Sequence, residues 1–88
     1  MIYADNRCVC VESFQGDENF YTFTGLCVVT KKPVSVTVVG KELFKYRQGE
    51  YIQNALRSNT PDEREFLMTG MSKEGWDQTF GEEEQDDD

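Results

Sequence analysis

Three thiols, a band of basic and aromatic residues, and a long run of carboxylates are the groups in this chain that could do chemistry. The thiols are Cys8, Cys10 and Cys27. A cysteine nucleophile needs a neighbouring base and an electropositive pocket. The chain contains no histidine, which removes the commonest general base and metal ligand. Cys8 and Cys10 are separated by one residue, where a zinc knuckle uses two to four, and Cys27 still leaves a tetrahedral ion short of a fourth ligand. Gly40 and Gly49 lack the spacing and the Lys-Ser/Thr ending of a phosphate-binding loop. The three cysteines therefore read as reduced, packed thiols, mostly on strands. No catalytic residue, no metal ligand and no cofactor is expected, and the chain reads as a non-enzyme.

The carboxylates are the stronger signal. The 88 residues carry 17 acids against 9 bases, a net charge of −8. Six of those acids lie between Glu82 and Asp88, and subtracting them leaves 11 acids and 9 bases, a net of −2. An extended mimic of a nucleic-acid phosphate array is thereby weakened, but a local acidic patch is not. Asp62, Glu63, Glu65, Glu74 and Asp77, with Glu82, Glu83 and Glu84, could face a basic partner and make association fast and salt-sensitive. The plainer reading gives the tail to solubility and Asp62, Glu63 and Glu65 to a helix N-terminus, where negative charge is favourable. The opposite charge is concentrated in Lys31 to Arg57, six bases against two acids. Within it Lys41, Lys45 and Arg47 fall near Phe44, Tyr46 and Tyr51. Interleaved cations and aromatics can neutralise phosphates and stack on bases of a single strand. The plainer reading makes Phe44 and Tyr51 core and the cations a solvated helix face.

The elements that must position these groups divide the chain in two. Arg7–Phe14 alternates as a strand, Gln15–Asn19 is a polar turn, and Phe20–Thr24 is aromatic and β-branched. Gly25 marks a bulge or break. Leu26–Thr30 and Val34–Val39, joined through Pro33, form a hairpin. At Gly40 the period changes to helical for Lys41–Gln48, with Gly49 as a left-handed end. Ile52 and Leu56 give a second short turn. Thr60-Pro61-Asp62-Glu63 is a capping box with proline at the first helical position, and Gly70 ends that helix. Ser72 caps a last helix running through Trp76 and Phe80, which should anchor it on the core. Nothing apolar follows Phe80, so residues 82–88 should be a disordered acidic tail. The fold class is α+β. One domain spans residues 1–81, with a small antiparallel sheet of three or four strands in the N-terminal half and three or four short C-terminal helices covering one face.

The pieces Thr30–Val38 (TKKPVSVTV), Leu43–Leu56 (LFKYRQGEYIQNAL), Asp62–Ser72 (DEREFLMTGMS) and Trp76–Glu84 (WDQTFGEEE), in that order, resemble a group of small acidic proteins encoded by bacteriophages. The resemblance covers about sixty residues and carries no catalytic role. It implies an accessory protein that binds a host factor, such as a nuclease, a polymerase or a defence complex. It also implies a cysteine pair in relatives at the positions of Ser72 and Gly75, which with an N-terminal pair would build a zinc-ribbon-like site. On that reading the site is lost here, and Cys8 and Cys10 are its remnants.

The function expected is a non-enzymatic phage accessory protein that binds a host protein through its acidic surface and inhibits a nucleic-acid-processing or defence system. The alternative is a weak single-stranded nucleic-acid binder whose acidic tail competes for the groove. A third possibility is a homodimer formed through an uncovered sheet edge. The N-terminus has neither the basic region nor the apolar run of a signal peptide, and no apolar stretch reaches membrane-spanning length. The expected location is the host cytoplasm, without membrane contact, as monomer or homodimer.

Overall fold

A computed structural model describes residues 2–81. Its order is α1 (Ile2–Arg7), β1 (Val9–Gln15), β2 (Glu18–Leu26), β3 (Pro33–Val39), α2 (Gly40–Arg47), α3 (Ile52–Ala55), α4 (Pro61–Thr69) and α5 (Lys73–Trp76), closed by a π-helical turn, Asp77–Gly81. The three strands form one antiparallel sheet in the order β1-β2-β3, so the chain is α+β. No helix of the described residues is long and apolar enough to cross a membrane. The expected disorder of the acidic tail concerns residues outside those described.

Alternation along β2 decides which face is core. Phe23 pairs with Cys10 and Val36, and Tyr21 with Glu12 and Val38. Phe23, Val36 and Val38 are buried with Leu43, Leu56, Phe66, Leu67 and Ala4. The opposite face carries Val9, Val11 and Ser13 on β1, Thr22 and Thr24 on β2, and Ser35 and Thr37 on β3. Its hydroxyls satisfy one another across the strands: Thr22 with Thr37 at 3.0 Å and Thr24 with Ser35 at 2.9 Å.

The caps form as their residue types require. Thr60 Oγ1 accepts from Glu63 N at 3.2 Å, and the Glu63 carboxylate accepts from Thr60 N at 3.0 Å. Ser72 Oγ accepts from Gly75 N at 3.0 Å. At the far end of α4, Gly70 takes φ +85° and its N–H returns to Phe66 O.

Four expectations are corrected. The strand Leu26–Thr30 does not exist. β2 instead continues unbroken through Gly25, Leu26 pairs with Pro33, and residues 27–32 turn. The β-branched run Val28-Val29-Thr30 is overridden because Cys27 O accepts from Lys31 N, Cys27 N donates to Lys32 O, and Val28 N donates to Gly70 O. Tertiary hydrogen bonds thus outweigh strand propensity. Lys31 pays for the tight turn with a left-handed φ of 63°.

The second correction is α1, which takes Arg7 out of the expected strand. A six-residue helix is not stable alone. It is held by buried Ala4, by Tyr3 packed edge-on to Phe66 with centroids 5.4 Å apart, by the Tyr3 hydroxyl donating to Leu26 O, and by Asp5 on Arg47. Third, Trp76 and Phe80 are not core anchors: they are 37% and 42% exposed and lie against each other. Fourth, Phe44 and Tyr51 are surface residues, at 62% and 74% exposure.

Gly70 joins two of these constraints. A Cβ there would stand 2.7 Å from the Tyr3 ring, on a backbone already left-handed. Gly70→Ala should lower unfolding free energy by roughly 2–4 kcal/mol, with α1 detaching first. Urea titration followed by hydrogen exchange at Cys8, whose N–H donates to Ala4 O, checks both statements, and an unaltered midpoint would refute them.

Candidate functional site

Two surfaces and one buried cluster bring together the residues singled out by sequence. The buried cluster forms around Cys27, which is fully inaccessible. Its Sγ accepts from Val29 N at 3.4 Å, Thr30 N at 3.5 Å, Ser72 N at 3.4 Å and Ser72 Oγ at 3.2 Å. A Cβ on Gly75 would lie 2.8 Å from the same sulfur. Burial pushes the thiol up, but hydrogen bonds from the Ser72 side chain, from the Thr30 and Ser72 backbone and from the Thr30 side chain together bring it from 9.0 down to about 6. Donors aimed at the charged form outweigh desolvation.

The implied cysteine positions Ser72 and Gly75 therefore meet Cys27, and the thiols expected as remnants of a site do not take part. Cys8 sits between α1 and β1, where its sulfur would lie 2.8 Å from a Cβ on Gly25. Cys10 is exposed on β1. Both are pushed up, by burial first. Around Cys27 the other corners are two hydroxyl residues and a glycine, and the described residues contain no group of three or more metal-ligating side chains. The cluster ties the 27–32 turn to the start of α5.

The first surface is the acidic C-terminal side. Glu63 is committed to its cap and to Asn59 Nδ2 at 3.0 Å, and Glu65 accepts from Thr69 Oγ1 at 2.9 Å. Glu74 pairs with Lys32 at 3.0 Å, and Asp77 approaches Lys73 at 3.8 Å. These exposed pairs contribute little energy each, but they soften the patch. Asp62 and Glu63 line a groove with Val34, Val36, Phe66 and Lys73. Beside Glu74 and Asp77 stand Trp76 and Phe80, rings 4.4 Å apart and tilted by 40°. The four-residue spacing of that aromatic pair points to the core. What could have flagged it is the lack of any other apolar residue on its face after Met71. Glu82, Glu83 and Glu84 fall outside the described residues.

The second surface is α2. Lys41, Phe44 and Lys45 are exposed at helical spacing i, i+3 and i+4, so they share one solvent stripe. Lys41 lies 3.9 Å from Glu18. Tyr46 does not join them, and Arg47, beside Phe44, is engaged elsewhere. Tyr46 packs against the core, and Arg47 makes two bonds to Asp5, at 3.0 and 3.2 Å, which hold its guanidinium all the more firmly charged. Of the five expected groove residues, Tyr46 turns to the core, and Arg47 lines a pocket with Phe44 while bound to Asp5.

No family model, no curated protein and no solved structure matches this chain.

The Cys27 cluster fixes a pH dependence. A folded-state pKa below the unfolded one stabilises fully above the unfolded value, and that contribution is lost as pH falls through the folded value. Stability should rise between about pH 6 and pH 9. Cys27→Ser should lower the midpoint and flatten this window. Chemical denaturation across the pH range measures it, and an identical slope in both proteins would remove the thiolate from the account.

Proposed function

We propose that this chain is a non-enzymatic binding protein of the phage accessory type. It docks on a basic host protein through the C-terminal acidic-aromatic side and inhibits a nucleic-acid-processing or defence activity. The observation that carries this reading is the Trp76–Phe80 pair at the surface, flanked by Glu74 and Asp77. Buried tryptophans supply most of the energy of many interfaces, and peripheral charge supplies speed and selectivity. Here both lie in one short segment that continues in sequence into six more acids. Asp62, Glu63, Glu65, Glu74 and Asp77, with Glu82, Glu83 and Glu84, are the steering groups in this reading, and Trp76 and Phe80 are the anchors. The phage and host terms rest on the family resemblance alone.

Trp76→Ala should leave the chain folded by circular dichroism while weakening capture of a specific host protein about thirtyfold or more. Removing residues 82–88 or raising salt should weaken capture less, and mainly through the association rate. Affinity capture from host lysate followed by titration of the captured protein reads both effects. Capture that ignores Trp76, salt and the tail alike would reject the reading.

A second reading is favoured by the α2 stripe. Lys41, Phe44 and Lys45 together offer two cations and one open ring to a single-stranded nucleic acid, a chemistry in which phosphate neutralisation and stacking act together. On this reading the chain without residues 82–88 retards a labelled oligonucleotide at low salt, and Phe44→Ala abolishes the shift. Absence of any shift by the tailless chain ends it.

A further inference from the structure

The two edges of the sheet are treated differently. The β3 edge begins at Pro33, which has no N–H to offer, and buried Asn59 donates its Nδ2 to Thr37 O at 2.9 Å. Residues of α4 and α5 line a groove beside Val34, Ser35 and Val36. These are ordinary ways of closing an edge. β1 has none of them. All seven of its residues are exposed, its register with β2 is continuous from Val9 to Gln15 without a bulge, and it contains no proline and no lysine. Among the described residues no other element donates to or accepts from its outer backbone. Val9 and Val11 are 68% and 60% exposed. Glu12 is the strand's one charge.

We propose that β1 is a self-association edge, on which two copies of this chain pair antiparallel about a two-fold axis at Val11 and join their three-stranded sheets into one. A second copy fits because the axis can be chosen by charge. Side chains on one face stay on that face under a two-fold axis normal to the sheet, so only registers in which each residue meets one of its own face are allowed. An axis at Glu12 sets two carboxylates directly opposite, which is unfavourable. An axis at Cys10 leaves only Val9 to Val11 as strand, because Arg7 belongs to α1, and an axis at Ser13 sets Val11 opposite Gln15 and Glu12 opposite Phe14, apolar against polar on both faces. An axis at Val11 pairs Val9 to Ser13 with their mates, brings the two Val11 side chains together and sets the partner's Glu12 opposite Cys10. The two Glu12 carboxylates then stand diagonally, each across from a cysteine and not from one another. The outer faces then merge into a surface of Val9, Val11 and self-satisfied threonines, free of charge at its centre.

This pairing is independent of the acidic docking surface, and salt separates the two. Joining two chains of net charge −8 is opposed by their mutual repulsion, so salt should tighten the dimer, whereas it loosens docking on a basic partner. Sedimentation of the full chain over a concentration series should show the mass rising from 10.2 kDa toward twice that value, at lower concentration as salt increases. Val11→Lys, at a solvent-facing position, should keep the circular dichroism of the native chain and raise the dimer dissociation constant at least about tenfold. In a Cys10→Ser background, Val11→Cys should oxidise to a covalent dimer faster than Ser13→Cys. A monomeric mass at every concentration and salt overturns the proposal, as does a folded Val11→Lys chain that dimerises unchanged. Faster cross-linking through position 13 overturns the Val11 axis.

Discussion

Behind the shared apolar core, one sulfur ties the turn after β2 to the start of the last helix. Cys27 opens the turn that follows β2, and Ser72 caps the last helix, 45 residues later. Four donors converge on that sulfur, two from its own turn and two from Ser72. A thiol is a weak acceptor and a thiolate a strong one, so this arrangement favours the charged form and draws strength from it. The turn thus fixed also presents Val28 N to Gly70 O, which sets the exit of α4. In a chain of 88 residues the apolar core is thin, and such a polar knot contributes specificity that packing alone does not supply.

Local signals in the sequence located most elements. The capping box at Thr60, the cap at Ser72 and the glycine exit at Gly70 depend on hydrogen bonds within a few residues, and they form as their residue types dictate. The short helix at Ile52 and the change of period at Gly40 are equally local. What escaped was set at long range. Val28-Val29-Thr30 has the composition of a strand, yet Val28 N is drawn to Gly70 O at the end of α4, and the rest of the run folds back on Cys27. α1 exists because Tyr3, Ala4 and Asp5 find partners on α4, the core and Arg47, none of which can be read from a window of neighbouring residues.

The candidate surfaces show the same division. Residue type correctly marked Lys41, Phe44 and Lys45 as interleaved, and helical spacing alone places them together. Whether Tyr46 and Arg47 are available with them depends on what the rest of α2 meets: Tyr46 meets the core, and Arg47, beside Phe44, is bound to Asp5. For the acids, sequence counted charges but could not count commitments. Glu63, Glu65, Glu74 and Asp77 each have a local partner, so the patch is a set of engaged carboxylates around an open aromatic pair, and any partner must compete with those contacts.

That aromatic pair also explains how α5 can stay docked without burying its largest side chain. The helix approaches the 27–32 turn through Gly75, which is buried and whose missing side chain leaves room for Cys27 Sγ, Val29 and Met71. Ser72 fixes its start and Glu74 its flank, through Lys32. A bulky residue at position 75 would push the helix off the turn, so the smallest residue in the segment provides the attachment. Trp76, next in sequence, is carried to the outside by that geometry, and Phe80 follows on the π-helical turn. The same contact that closes the fold therefore exposes the two rings, and exposure of this kind is a consequence of tight packing one residue earlier.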